Sequence, residues 1–180
     1  MKTTAGSTAT ARVENAEVLY ASGAVVLVGA EDIARLKSDA ARNPRQRIRL
    51  CAHSGVADPL HEMLIVHTSD TYVRPHKHLG KSESFHVIEG KVDVVLFDEE
   101  GAVTDTIPMG DVASGRPFFY RMASPIFHTL LIRSDVLVFH ETTGGPFRRA
   151  DTVFAPWAPD DGDPAAVRAF LDSVEARIAR

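Results

Sequence analysis

Residues 76–90 read HKHLGKSESFHVIEG and carry the most informative pattern in the chain. His76 and His78 are separated by one residue, so on a β-strand their side chains point to the same face. The turn at residues 79–81 then returns the chain, and Glu83 begins a second strand beside the two imidazoles. Gly90 follows in a tight turn, where a positive φ is often needed. Two imidazoles and a carboxylate held on strands predict a site for one divalent transition metal (Fe, Mn, Ni, Co or Zn).

Short apolar segments surround this pattern and are typical of β-strands, because they are rich in Val, Ile, Leu, Phe and Thr. The predicted strands are residues 61–68, 85–89, 91–97, 103–107, 118–122, 128–132 and 136–142. Glycine and acidic residues separate them and favour turns. Many short strands at this spacing predict an all-β sandwich or barrel rather than a parallel α/β sheet.

The chain divides into four predicted parts. Residues 1–12 have the composition of a disordered lead-in, and residues 13–49 hold a short apolar strand at 24–28 and a helix at 31–41. Residues 50–147 contain the barrel or sandwich. Residues 148–180 begin as a Pro-rich tail and end in a helix, with Asp163 as its N-cap and Pro164 at its first position. One apolar face of this helix is expected to pack on the barrel or on a partner subunit.

Composition excludes several classes of function. The formal net charge is −4, and no basic patch is interleaved with aromatic residues, so nucleic-acid binding is not expected. No apolar run approaches the roughly 20 residues that span a bilayer, so no membrane association is predicted. The single cysteine, Cys51, cannot form an internal disulfide, which fits a reducing compartment. Because residues 1–12 also lack the apolar stretch of a secretory signal, we expect a cytoplasmic protein.

The pattern of His76, His78, Glu83 and Gly90 resembles the first conserved motif of the cupin superfamily. A larger part of the sequence is similar to the WbuC-type cupin-fold metalloproteins. The similar segments are TYVRPHKH (71–78), ESFHVIEG (83–90), DVVLFD (93–98), ETTGGPF (141–147) and FAPWAP (154–159). The resemblance implies an all-β cupin jelly-roll barrel (a double-stranded β-helix) with short helices towards both termini.

The second cupin motif supplies one more histidine, and residues 123–128 (ASPIFH) occupy its place. The resemblance therefore implies His128 as the fourth metal ligand, with His76, His78 and Glu83. The usual proline and glycine of this motif are displaced here. Similar proteins are often encoded among bacterial surface-polysaccharide genes, but the family name records a fold and a metal rather than a reaction.

Three further residues are candidates for the catalytic machinery. Tyr72 and Arg74 share strand parity with His76, so they could line the same pocket, and Arg74 could bind a carboxylate or phosphate. Pro75 could disturb that parity, and a surface position is the alternative for Arg74. Glu141 could orient a ligand or act as a general base, with a structural role as the alternative.

Two other features have simpler interpretations. His86 has the opposite parity to Glu83 and is predicted to be a packed or interface histidine. Arg45, Arg47 and Arg49 alternate along an extended segment, which predicts a solvated face; an anion site formed with a partner subunit is the alternative.

Three functions remain open at this point. The first is a metal-dependent enzyme acting on a small polar, sugar-derived substrate as an isomerase or epimerase, linked to surface-polysaccharide synthesis. The second is a non-haem iron dioxygenase, and the third is a non-catalytic protein in which a metal helps to bind a small ligand. A proton-transfer group beyond the four ligands would favour an enzyme, whereas an apolar pocket would favour a binding protein. A homodimer is also expected, because the predicted strand at 24–28 is apolar on both faces.

Overall fold

The structure, a computed structural model, describes residues 11–179. This part of the chain forms twelve strands in two sheets and two α-helices. The strands are β1 (Ala11–Asn15), β2 (Val18–Ala21), β3 (Arg47–Cys51), β4 (Leu60–Thr68), β5 (His76–His78), β6 (Glu83–Glu89), β7 (Lys91–Phe97), β8 (Val103–Gly110), β9 (Phe119–Met122), β10 (Phe127–Ile132), β11 (Val136–Gly144) and β12 (Thr152–Phe154). The helices are α1 (Ala30–Arg42) and α2 (Pro164–Ile178).

The two sheets form a jelly-roll barrel, as the sequence predicts. One sheet has the strand order β1-β2-β3-β4-β11-β6-β9, and the other has the order β12-β5-β10-β7-β8. Every neighbouring pair is antiparallel except β2 and β3. Gly90 adopts a φ of +95° between β6 and β7, and a Cβ there would collide with the Val136 carbonyl oxygen, so this turn requires glycine.

Strand alternation fills the space between the sheets with apolar side chains. In β6, Glu83, Phe85 and Val87 are buried and point inward, while the residues between them are more exposed. The Phe85 ring stacks on Phe139 of β11 with centroids 4.4 Å apart, and on Tyr120 of β9 at 5.3 Å. This aromatic stack joins three strands of one sheet and supports the wall from which Glu83 projects.

Each helix covers the outer face of one sheet. Leu36 and Ala40 of α1 are fully buried against the apolar residues of β3 and β4. Val174 of α2 is buried against β7 and β10 on the other sheet. Both predicted helices are therefore confirmed, and the Asp163 carboxylate accepts a hydrogen bond from the Ala166 backbone N–H at 3.0 Å, as expected of an N-cap. Among residues 11–179, no helix has the length and apolarity needed to cross a membrane.

The predicted strand at residues 24–28 is wrong. Those residues form no strand, and Val25 and Leu27 are 75% and 59% exposed. The sheet position beside β3 is taken instead by β2, whose other edge pairs with β1. An apolar, β-branched segment becomes a strand only where a sheet edge is open to it, and here an earlier hairpin fills that edge. The predicted disordered lead-in lies mostly outside the described residues, but Ala11 and Arg12, its last two residues, begin β1.

Candidate metal centre

Three histidines meet where β5 pairs with β10. His76 lies directly opposite His128 in this antiparallel pair, and their ring centroids are 4.6 Å apart. His78, two residues along β5, has its ring 5.0 Å from that of His76 and 6.0 Å from that of His128. One ring nitrogen from each histidine lies within 4.8 Å of the other two. The structure therefore brings the three predicted imidazoles into one cluster.

Glu83 joins this cluster from the facing sheet. Its Oε2 atom lies 3.1 Å from His78 Nε2, and its Oε1 atom lies 3.7 Å from His128 Nε2. The Tyr120 hydroxyl donates a hydrogen bond of 2.7 Å to Glu83 Oε1. This contact orients a buried carboxylate towards the imidazoles, as expected for a metal ligand with a supporting hydrogen bond.

The hydrogen bonds of the imidazoles fit metal binding. Nδ1 of His76 donates to the Arg74 carbonyl oxygen at 2.9 Å, and Nδ1 of His128 donates to the Ile126 carbonyl oxygen at 3.0 Å. A proton held on Nδ1 leaves the lone pair of Nε2 free for a metal, and the backbone oxygen fixes the ring orientation. The donor set, three nitrogens and one carboxylate, suits a divalent transition metal.

The electrostatics of the site favour neutral imidazole and ionised carboxylate. Burial lowers the pKa of His76 to about 3, and the neighbouring His128 and His78 add to this effect. Burial alone would raise the pKa of Glu83, but the charge of His128 and the hydrogen bonds from His78 and Tyr120 lower it to about 2. Burial likewise opposes the charge on His78, yet its hydrogen bond with Glu83 raises its pKa. These are the protonation states that a metal requires of most of its ligands.

The cluster opens into a cavity of about 960 Å³ between the two sheets. Glu141, one of the predicted catalytic candidates, lines this cavity from β11, where it lies opposite Met63 and Phe85. Burial, followed by the charge of Glu83, raises the pKa of Glu141 to about 8. Within residues 11–179 no hydrogen bond or ion pair engages its carboxyl group, so it is available to a ligand.

Tyr72 and Arg74 are tied to the C-terminal tail. The Tyr72 hydroxyl donates to the Pro159 carbonyl oxygen at 3.0 Å, and Tyr72 does not line the cavity. Arg74 does line it, but its guanidinium pairs with Asp160 at 2.8 Å and donates to the Ala158 carbonyl oxygen at 3.3 Å. Arg74 therefore shares the cavity with His76, whereas Tyr72, four residues before β5, does not. Both side chains contact the C-terminal tail, and Arg74 does so from within the cavity.

Other residues agree with the simpler interpretations. His86 lies outside the cavity, where its ring contacts Phe118 and Phe119. Cys51 is buried, and burial raises the pKa of its thiol, which disfavours a reactive thiolate. The contact between Tyr120 and Glu83 was not predicted, because it depends on the pairing of β6 with β9, which no local pattern indicates.

Comparison with known proteins supports the fold. A family model described as a domain of unknown function (DUF6016) matches residues 28–109, and no curated protein matches the chain. Protein SO0799 from Shewanella oneidensis is 12% identical in sequence, with a TM-score of 0.52 over 71% of this chain and 85% of that chain. A mutant salicylate 1,2-dioxygenase from Pseudoaminobacter salicylatoxidans, solved with gentisate, is 14% identical, with a TM-score of 0.53. That match covers 72% of this chain but only 37% of the dioxygenase.

A weaker match is a protein from Silicibacter pomeroyi described as a sugar phosphate isomerase from a cupin superfamily. It is 17% identical, with a TM-score of 0.39 over 49% of this chain and 52% of that chain. At these identities the likenesses concern the fold alone. The fold itself is read from the strands, which form two sheets in an all-β jelly-roll barrel, with a histidine cluster that could hold a metal.

Proposed function

We propose that the protein is a metal-dependent cupin enzyme acting on a small polar molecule. His76, His78, Glu83 and His128 would hold one divalent transition metal. The observation that carries this proposal is the convergence of three imidazoles and a buried carboxylate on the wall of a cavity of about 960 Å³. Such a metal supplies Lewis acidity that polarises a carbonyl or hydroxyl oxygen of the substrate.

Glu141 favours an enzyme over a binding protein. It lies in the same cavity as the histidines and is not engaged by another described side chain. A carboxyl group whose pKa is near 8 can hold or release a proton close to neutral pH, which suits general acid–base catalysis. Isomerisation or epimerisation of a sugar-derived substrate requires a proton to move between carbon atoms or between faces of one carbon. We assign that proton transfer to the Glu141 carboxyl group.

Solvent-exchange experiments test this function. The metal-loaded protein is incubated in D₂O with a panel of aldoses, ketoses and their phosphates, and carbon-bound deuterium is followed by NMR. We expect deuterium at one carbon with the wild type and its loss with Glu141→Gln, while the metal content stays unchanged. Oxygen consumption with an aromatic substrate would instead favour the dioxygenase. Binding of a ligand without either reaction would favour the non-catalytic binding protein.

The finer identity of the protein is part of the same proposal. The segments around residues 71–90 and 141–159 support a place among the WbuC-type cupin-fold metalloproteins, with a role in surface-polysaccharide synthesis. A homodimer also belongs to this proposal: the strand expected at 24–28 is absent, but the exposed side chains of Val25 and Leu27 offer an apolar surface that a second copy would cover. The free, buried Cys51 supports a reducing, cytoplasmic location.

A further inference from the structure

Six cationic side chains line the cavity, and most of them already pair with a carboxylate. The six are Arg45, Arg47, Arg49, Arg74, Lys81 and Arg149. Four of them pair with carboxylates at 2.6–3.1 Å: Arg45 with Asp161, Arg47 with Glu17, Arg74 with Asp160 and Lys81 with Asp151. Among the residues that the structure describes, Arg49 and Arg149 have no carboxylate partner. The Arg149 guanidinium lies over the Phe154 ring, 4.7 Å from its centre. Within the described residues, Arg49 has neither a carboxylate nor an aromatic ring as a partner.

Strand alternation turns Arg49, which remains exposed to solvent, towards the cavity that it lines. Ile48 and Leu50, its neighbours on β3, are buried beneath α1, so Arg49 and Cys51 face the other way. The Arg49 charge reaches the interior of the cavity: it opposes the rise that burial causes in the pKa values of Cys51 and Glu141. A guanidinium in this position offers a planar set of N–H donors that matches carboxylate and phosphate oxygens.

Two uncharged polar groups lie on the same wall. The Tyr20 side chain is 8% exposed and lines the cavity from β2, and its hydroxyl makes no hydrogen bond within residues 11–179. His67 on β4 lies opposite Arg47, and its buried Nδ1 atom has no hydrogen-bond partner in the described part of the chain. Buried polar atoms normally have partners, so the unpartnered Nδ1 of His67, in a cavity that Arg49 also lines, indicates that a ligand supplies its partner.

We propose that Arg49, assisted by the Tyr20 hydroxyl, binds an anionic oxygen group of the substrate, while the other end of the molecule meets the histidine cluster. The substrate is then a small acid, carrying a carboxylate or phosphate at one end and an oxygen ligand at the other. This assignment rests on the proposed metal centre and narrows its substrate class. The subsite is formed by one chain and needs no partner subunit.

Dicarboxylates provide direct probes, because one carboxylate can engage the metal and the other can reach Arg49. Succinate, glutarate and adipate, which are too long to form a stable chelate ring on one metal, are titrated calorimetrically into the metal-loaded protein, each beside the monocarboxylate with the same number of carbon atoms. Two variants are compared, Arg49→Gln and Arg47→Gln. Arg47 is the matched control because it projects from the same strand face but already pairs with Glu17. Metal content is measured for every protein.

We expect at least one dicarboxylate to bind about tenfold or more tightly than its monocarboxylate, since a hydrogen bond to a charged group is worth about that much. Arg49→Gln should abolish this advantage, whereas Arg47→Gln should retain it. Phosphonocarboxylates of the same lengths distinguish the two anions, because the tighter binder identifies the group that Arg49 prefers.

Two results would overturn the subsite. One is a wild type that binds no dicarboxylate better than its monocarboxylate, and the other is an Arg49→Gln variant that keeps the advantage. Either result, obtained with metal still bound, refutes the role of Arg49 and leaves the metal centre intact. A wild type that retains no metal instead refutes the proposed function, and elemental analysis detects that failure separately.

Discussion

Replacing Tyr120 with Phe should weaken metal binding without disturbing the fold. The substitution removes only the hydroxyl, which donates to Glu83 Oε1 at 2.7 Å. The ring remains, and with it the stack on Phe85 at 5.3 Å. A hydrogen bond to a charged group contributes about 1.5–3 kcal/mol. Since 1.36 kcal/mol corresponds to a factor of ten, the metal dissociation constant should rise about 10- to 100-fold.

Competition with a chromogenic chelator of known affinity measures this change for Zn²⁺ or Co²⁺. Tyr72→Phe is the control, because it also removes a hydroxyl that donates to a protein oxygen, here the Pro159 carbonyl at 3.0 Å. That bond lies on the C-terminal tail, so its loss should leave metal affinity unchanged. If Tyr120→Phe bound metal as tightly as the wild type, Glu83 would not be a ligand that Tyr120 supports.

Three further outcomes follow from the same structure. Burial lowers the pKa of His67 to about 3, below its usual value of 6.5, so the unfolded chain binds the proton first and stability falls as pH drops below 6.5. At pH 5 the free energy of unfolding should be about 2 kcal/mol lower than at pH 7.5 because of His67. Urea unfolding of His67→Phe should lack this decrease, and an equal pH dependence of stability in both proteins would exclude the role of His67. Leu36→Ala should lower the free energy of unfolding by about 2–5 kcal/mol because Leu36 is fully buried between α1 and its sheet, and a change under 1 kcal/mol in the same assay would place α1 elsewhere. Light scattering should give about twice the monomer mass of 19.6 kDa, and Val25→Asp should shift the protein towards the monomer; a wild type of 19.6 kDa at micromolar concentration would remove the homodimer.

The strands of the barrel were predictable because their pattern is local. Lys91–Phe97 is an apolar segment with a tight turn at each end, and both of its predicted bounds match those of β7. The meeting of His76, His78 and Glu83 could be predicted for a related reason. His76 and His78 share a face on any strand, and a short turn must bring Glu83 back beside them.

Features that depend on strand pairing could not be predicted. The β1–β2 hairpin is short and partly polar, so residues 24–28 offered a stronger strand pattern than the segments that fill the sheet edge. Whether an arginine on β3 is paired or free depends on the parallel alignment of β2 with β3, which brings Glu17 to Arg47. The raised pKa of Glu141 likewise arises from burial and from Glu83 on a neighbouring strand.

Metal content after single histidine substitutions tests the central claim most directly. His76→Ala and His78→Ala each remove one proposed ligand from the cluster, while His86→Ala removes an imidazole from the outer face of β6. Elemental analysis of the purified proteins, with circular dichroism to verify folding, should give about one divalent ion per chain for the wild type and for His86→Ala. His76→Ala and His78→Ala should lose most of the metal and remain folded. Full metal content in His76→Ala together with loss in His86→Ala would contradict the account, because the metal would then lie on the opposite face of the sheet.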